Sequence, residues 1–401
     1  MKTIQKSFSG EGPSARVWAE IDLSVIRRNC GILKKIVGPG VELLVVVKAN
    51  AYGHGAVPVA RAVHTAGASM VGVGSSTEAL ELIEAGVRVP MLILGAVVRS
   101  ELERIVDAGV AICLHSTERA RVLSAVAARR GRTVPVHLMV DTGMTRLGVL
   151  PAAVGRFLDE ISRTPHVRLV GLATHFSHAS GKGGEEHTRT QMARFAEVRE
   201  FCQRAGFPIR YAHAAASAGL VRFPDSRGNL VRPGILTYGL DPGETYPQRL
   251  GIEPALSLKA QVIYLKDVEE GTPVGYGGQY LTQEATRLAT IPIGYADGYQ
   301  LSYSNCAHVL VRGERAPVVG RVCMDYTIVD VGHIAGVRVG DVVTLIGKDG
   351  DEWIRAEELA RHAGTIPYEV TCCLGRRVER IYHPSPETYP LAPVPVGAGG
   401  W

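Results

Sequence analysis

Residues 41–48 read Val41-Glu42-Leu43-Leu44-Val45-Val46-Val47-Lys48, a nearly continuous apolar run of strand length that stops on a lysine. Runs of this kind mark strands buried on both faces of a parallel sheet, because a half-exposed strand would alternate apolar and polar residues. The pattern recurs at residues 69–73, 91–95, 110–114, 134–140, 168–174, 209–213 and 230–232, the last two being short. Amphipathic stretches lie between these runs. Residues 76–85 start at Ser76 or Thr77 as N-cap and stop before Gly86, residues 116–130 are capped by Thr117, and residues 151–163 open on a proline. Eight strand–helix units predict an α/β fold of the (β/α)8 barrel type. A doubly wound sheet is the rival, since spacing alone does not show whether the sheet closes.

Past residue 251 the rhythm changes. Short strand candidates at 255–268, 287–293, 307–312, 315–322, 327–331 and 342–346 are separated by Gly, Pro and Asp turns, and only 355–362 reads as helix. The expected plan is an arm (1–16), a barrel (17–250), a smaller mainly-β C-terminal domain (251–383) and a Pro-rich tail (384–401).

The 401 residues are 46% hydrophobic and 21% charged, the make-up of a folded chain. The net charge of +5 is spread without a Lys/Arg run, so nucleic acid is not indicated as a partner. No apolar run is long enough for a membrane span, and the first twenty residues have no signal-peptide pattern. Seven scattered cysteines without a CxxC pair fit a reducing cytoplasm.

Barrel chemistry collects where strands end. Here those ends carry Lys48, then Asp141 through Arg146 to Gly148, then His175, Ser217, and Arg232-Pro233-Gly234-Ile235. Burial of Lys48 would disfavour its ammonium form and leave an amine able to attack a carbonyl; the bland reading is a lysine reaching into solvent. The set as a whole suits an anionic, phosphate-bearing aromatic cofactor, with Ser217 and the backbone at Gly234 and Ile235 holding phosphate. Gly72-Val73-Gly74 is a weak dinucleotide signal and reads better as a barrel turn. His175, His178 and His187 form no recognisable metal signature, so no metal is expected.

The segment from Val46 through Lys48-Ala49-Asn50-Ala51-Tyr52-Gly53-His54 to Gly55 resembles the pyridoxal-phosphate lysine motif of the alanine racemase family. The likeness runs from Trp18 to Tyr382. It takes in Val140-Asp141-Thr142-Gly143-Met144, Arg146-Leu147-Gly148, Thr174-His175-Phe176, Arg232-Pro233-Gly234-Ile235, Val274-Gly275-Tyr276-Gly277, Ile293 to Gly298, and Gly320 to Asp325.

The resemblance implies that Lys48 holds pyridoxal 5'-phosphate as an internal aldimine and serves as one of two bases. Tyr276 of the partner subunit, in a head-to-tail homodimer, would be the other. Arg232 would face the pyridine nitrogen, and His175 would lie against the ring. Tyr52, Ser217, Gly234, Ile235 and Tyr368 would surround the phosphate. Arg146 would orient Tyr276 and meet the substrate carboxylate, while Tyr295 and Met324 line the entrance. The implied reaction interconverts L- and D-alanine and supplies D-alanine for bacterial peptidoglycan. Two positions depart from the family pattern: Met139 stands where many relatives carry a carbamylated lysine, and Ala216 where many carry asparagine. These departures keep a broader-specificity or basic amino-acid racemase as the alternative. A decarboxylase would have no use for the tyrosine base, a cofactor carrier would not need the β domain, and the His-x-Cys zinc pair of related dehydratases is absent.

Overall fold

The computed structural model describes residues 15–243 and 246–389. Eight parallel strands, Glu42–Val46, Met70–Val73, Met91–Ile93, Ala111–Leu114, Val134–Met139, Val167–Ala173, Tyr211–His213 and Leu230–Val231, line up in chain order. The eighth pairs back onto the first, with Leu230 beside Glu42 and Val231 beside Leu43. The seam between the seventh and eighth is made by a parallel bridge of Ala216 with Arg232 and by the Asn229 carboxamide oxygen, which accepts from Ala212 N at 2.8 Å. The sheet therefore curls into a barrel, and the doubly wound alternative falls.

Helices cover the outside. The cap of Ser76–Glu84 is Ser75, just before the expected Ser76 or Thr77, and that of Thr117–Arg129 is Ser116, one residue before the expected Thr117. Both serines have the extended backbone a cap requires, and their hydroxyls accept from Glu78 N and Arg119 N. Ser76 turns inward instead and donates to Glu101. Pro151–Ala153 is a 3-10 turn that leads into the helix Val154–Ser162.

The C-terminal unit is mainly β. Its largest sheet runs Glu314–Pro317, His308–Val311, Val342–Asp349, Leu256–Gln261, Val17–Asp22 and Glu379–His383, with Glu352–Ile354 attached to Val342–Asp349. A second sheet joins Tyr264–Val268, Thr286–Ile291 and Thr327–Asp330. The position of Val17–Asp22 differs from the expected barrel start at residue 17. This strand pairs antiparallel with Leu256–Gln261, from Val17 opposite Ala260 to Ile21 opposite Leu256, and buries Trp18. An interior strand needs partners on both edges, so the β unit borrows one from the start of the chain. The compact units accordingly break at Asp22 and Ala255.

The expected single strand 255–268 is divided in two, between Gln261 and Tyr264. Cys372 and Cys373 lie at the end of the helix Pro367–Cys372, which Pro367 opens, and both are exposed. Most of the expected arm and tail lies outside the described residues.

Candidate active site at the barrel mouth

The strands are parallel, so their C-terminal ends share one face of the barrel, and Lys48 and Arg232 both stand there. After Lys48 the chain makes a left-handed turn. Ala49, Asn50, Ala51 and Tyr52 all have φ between 51° and 54°. Such a conformation costs L-residues about 1–2 kcal/mol each, so it has to be held from outside. The Glu78 carboxylate accepts from Ala49 N at 2.8 Å and from Gly74 N at 2.6 Å, tying the ends of the first two strands together. Buried His54 donates from Nδ1 to the carbonyls of Ala51 and Tyr52, and Asn50 Oδ1 accepts from Ala56 N. The turn lifts Lys48 to the open mouth. Its side chain is exposed, so the burial expected from the sequence is not found.

Arg232 is the opposite case. Its guanidinium is buried and its partners are carbonyls and imidazoles, with no carboxylate among them. Nη1 donates to His213 Nδ1 (2.6 Å) and His213 O (2.9 Å), and Nη2 to Thr174 O (2.7 Å), Ala214 O (2.9 Å) and His175 Nδ1 (3.3 Å). Among the described residues Nε–H alone of its donors has no acceptor. Burial, only slightly offset by Cys113, pulls the guanidinium down to about 10. His175 is pushed down to about 3, first by burial and then by the charges of Arg232, Arg146 and Lys48, so all three cations lie within electrostatic reach of His175. A mouth with three cations and no bound carboxylate at Arg232 is built for an anion.

A cradle sits beside them. Ser217 Oγ accepts from Gly234 N (3.0 Å) and Leu236 N (3.3 Å), and the Tyr52 hydroxyl lies so close to Gly234 that a Cβ there would overlap it. The Tyr52 ring packs 4.9 Å from that of Tyr238, whose hydroxyl donates to Val46 O. Ile235 begins the turn Ile235–Tyr238 and is buried.

Arg146 ends a loop shaped by Asp141, whose carboxylate accepts from the backbone N–H of Gly143, Met144 and Thr145. Gly148 closes that loop at φ +134°, where a Cβ would press on Asp141 N. Arg146 is exposed. Met139 is buried and apolar at the end of its strand, and Ala216 forms the bridge to Arg232.

Within the β unit, Tyr276 is 69% exposed in a turn flanked by glycines, and Gly275 and Gly277 adopt φ +71° and +76°. Tyr295 N donates to Cys323 O and Ala296 N to Met324 O, so Tyr295 and Met324 share one exposed ledge. Tyr368 is half-buried on the helix Pro367–Cys372.

The alanine racemase N-terminal domain family matches residues 21–242 and the alanine racemase C-terminal domain family residues 255–382. The chain belongs to the alanine racemase family. It is 40% identical to the alanine racemase of Methanococcus maripaludis, over 91% of this chain and 98% of that protein. It is 44% identical to that of Symbiobacterium thermophilum, over 91% and 96%. Among solved structures, the alanine racemase of Streptomyces lavendulae superposes with TM-score 0.87 at 33% identity, over 94% of this chain and all of that one. The alanine racemase of Bartonella henselae with covalently bound pyridoxal phosphate gives 0.81 at 30% identity, over 92% and 99%. The family and the barrel-plus-β fold expected from the sequence are borne out.

Glu78, His137 and His213, which support Lys48 and Arg232 in the structure, are not among the site residues expected from the sequence. Glu78 looks like an ordinary first-turn acid of an amphipathic helix. The two histidines interrupt otherwise apolar strands, and that interruption was the available signal.

Proposed function

We propose that the chain is a pyridoxal-phosphate-dependent alanine racemase with two bases. The observation that carries this is Arg232: a buried guanidinium with no carboxylate among its partners in the described residues, at the same barrel mouth as Lys48. The residues present fit the cofactor. Lys48 would carry it, the Gly234–Ser217–Tyr52 cradle with Ile235 and Tyr368 would take the phosphate, and His175 would flank the ring.

When bound, the cofactor withdraws the electron pair left at the substrate α-carbon. Arg232 would hold the ring nitrogen as an acceptor, since a guanidinium donates and keeps its protons. That limits electron withdrawal to what racemisation needs. The Lys48 amine moves the α-proton on one face, taking it from D-alanine. The partner subunit's Tyr276 moves it on the other, taking it from L-alanine. One base alone would return the proton to the face it came from and preserve configuration. Arg146 meets the substrate carboxylate and orients the partner subunit's Tyr276, and the partner subunit's Tyr295 and the partner subunit's Met324 narrow the entrance. The exposed Tyr276, Tyr295, Met324 and Tyr326 supply apolar surface for a head-to-tail homodimer. The product would serve bacterial peptidoglycan synthesis in the cytoplasm. No helix of the described residues is long and apolar enough to cross a membrane.

Tyr276→Phe in deuterated water tests the second base. Racemisation is expected to fall by about 10²–10⁴-fold while D-alanine still exchanges its α-proton with retention. Undiminished racemisation would remove Tyr276 from the mechanism. A broader-specificity racemase is the second reading, favoured by the uncharged Met139 and Ala216. Rates on alanine, serine, lysine and arginine decide between the two.

A further inference from the structure

Behind Arg232, deeper in the barrel, lie two fully buried imidazoles. His213 Nδ1 is 2.6 Å from Arg232 Nη1, and His213 Nε2 is 2.7 Å from His137 Nδ1. The His137 ring also stacks on Tyr211, with 5.7 Å between centroids and 11° between planes. His137 has room because residue 171 on the neighbouring strand is glycine; a Cβ there would overlap the imidazole. The pairing of these two strands shifts register between Val136 and His137.

We propose that His213 and His137 form a neutral relay of fixed tautomer that positions Arg232 and keeps its proton in place. This rests on the reading of Arg232 as the partner of the cofactor ring nitrogen. The directions follow from donor and acceptor chemistry. Arginine only donates, so His213 Nδ1 accepts and the proton of His213 sits on Nε2. That proton is donated to His137 Nδ1, so the proton of His137 also sits on Nε2. A proton added to His213 would put N–H against N–H at Arg232. Burial and the Arg232 charge both oppose such a proton, and His137 is pushed down to about 3 while His213 lies well below its ordinary range. Among the described residues, Arg232 bonds His213, Tyr211 stacks on His137 with Glu42 and Arg210 in its field, and Cys113 stands opposite His137 on the next strand, held neutral by burial and pushed up to about 12. The two bonds run from Arg232 to His213 and from His213 to His137, so the relay takes no proton from Arg232 and hands none to it. It is a positioning device.

The test uses the full-length protein loaded with pyridoxal phosphate and labelled with 15N at histidine. Two-bond proton–nitrogen spectra report the tautomer of each imidazole. The expected result is Nε2–H on both His213 and His137, with no change from about pH 8 to about pH 5, where an ordinary histidine titrates. In parallel, His137→Leu removes the acceptor and His137→Asn restores an oxygen close to Nδ1. Leu is expected to lower kcat about tenfold, the effect of one orphaned buried donor, with KM for alanine unchanged and the cofactor absorption band shifted. Asn is expected to recover most of both. Gly171→Ala, which displaces the same ring, should behave like Leu. An Nδ1–H on His213, titration of either ring in that range, or equal behaviour of Leu and Asn would overturn the relay. Correct tautomers in a protein that does not racemise alanine would instead leave the relay standing and remove the activity.

Discussion

Gly234 and Glu78 make the most exacting demands of single residues at this site. At Gly234 any side chain meets the Tyr52 hydroxyl, so Gly234→Ala is expected to weaken cofactor binding severalfold with little change in the fold. Absorbance titration of the apoprotein with pyridoxal phosphate measures this, and unchanged affinity would refute the cradle. Glu78 supports the left-handed turn through two charge-assisted bonds. Glu78→Ala is expected to lower unfolding stability by about 1–3 kcal/mol and to loosen the cofactor as Lys48 loses its support. Denaturant titration with and without cofactor reads both effects. The placement of Lys48, Arg232 and Gly234 at the barrel mouth is legible in the sequence, because each follows an apolar strand. Glu78 was not, since its carboxylate acts on backbone N–H groups that only the folded turn brings near. The exposure of Lys48 is not legible for a related reason: a strand end reads as buried until the turn that follows it is known.

The elements that bear most on stability are the barrel strands and the one strand lent to the other unit. The fifth and seventh barrel strands carry His137 and His213, both held neutral in the folded chain. An ordinary histidine takes up a proton near pH 6.5, so between there and about pH 3 the unfolded chain binds protons the folded chain refuses. Stability therefore falls as pH falls through this window, with His137 contributing a slope of about 1.4 kcal/mol per pH unit. Urea midpoints at stepped pH values should show the decline, and a flat response from pH 7 to pH 5 would contradict the buried neutral assignment. Strand rhythm was readable because buried parallel strands are apolar throughout. The left-handed turn was not, because Ala49, Asn50, Ala51 and Tyr52 have no glycine to announce it.

For the whole molecule, the two-part plan is legible in the change of rhythm near residue 251, but the membership of Val17–Asp22 in the β unit is not. The pairing of residues some 240 positions apart leaves no local signature. A chain beginning at Leu23 loses the partner of Leu256–Gln261 and is expected to expose the C-terminal unit to proteolysis while the barrel resists; equal resistance of both would contradict the pairing. The central claim is tested most directly by incubating the purified protein with L-alanine and pyridoxal phosphate and following both enantiomers by chiral chromatography. The account predicts D-alanine rising to equality with L-alanine. No D-alanine, from a protein in which borohydride has been shown to trap the cofactor on Lys48, would contradict it.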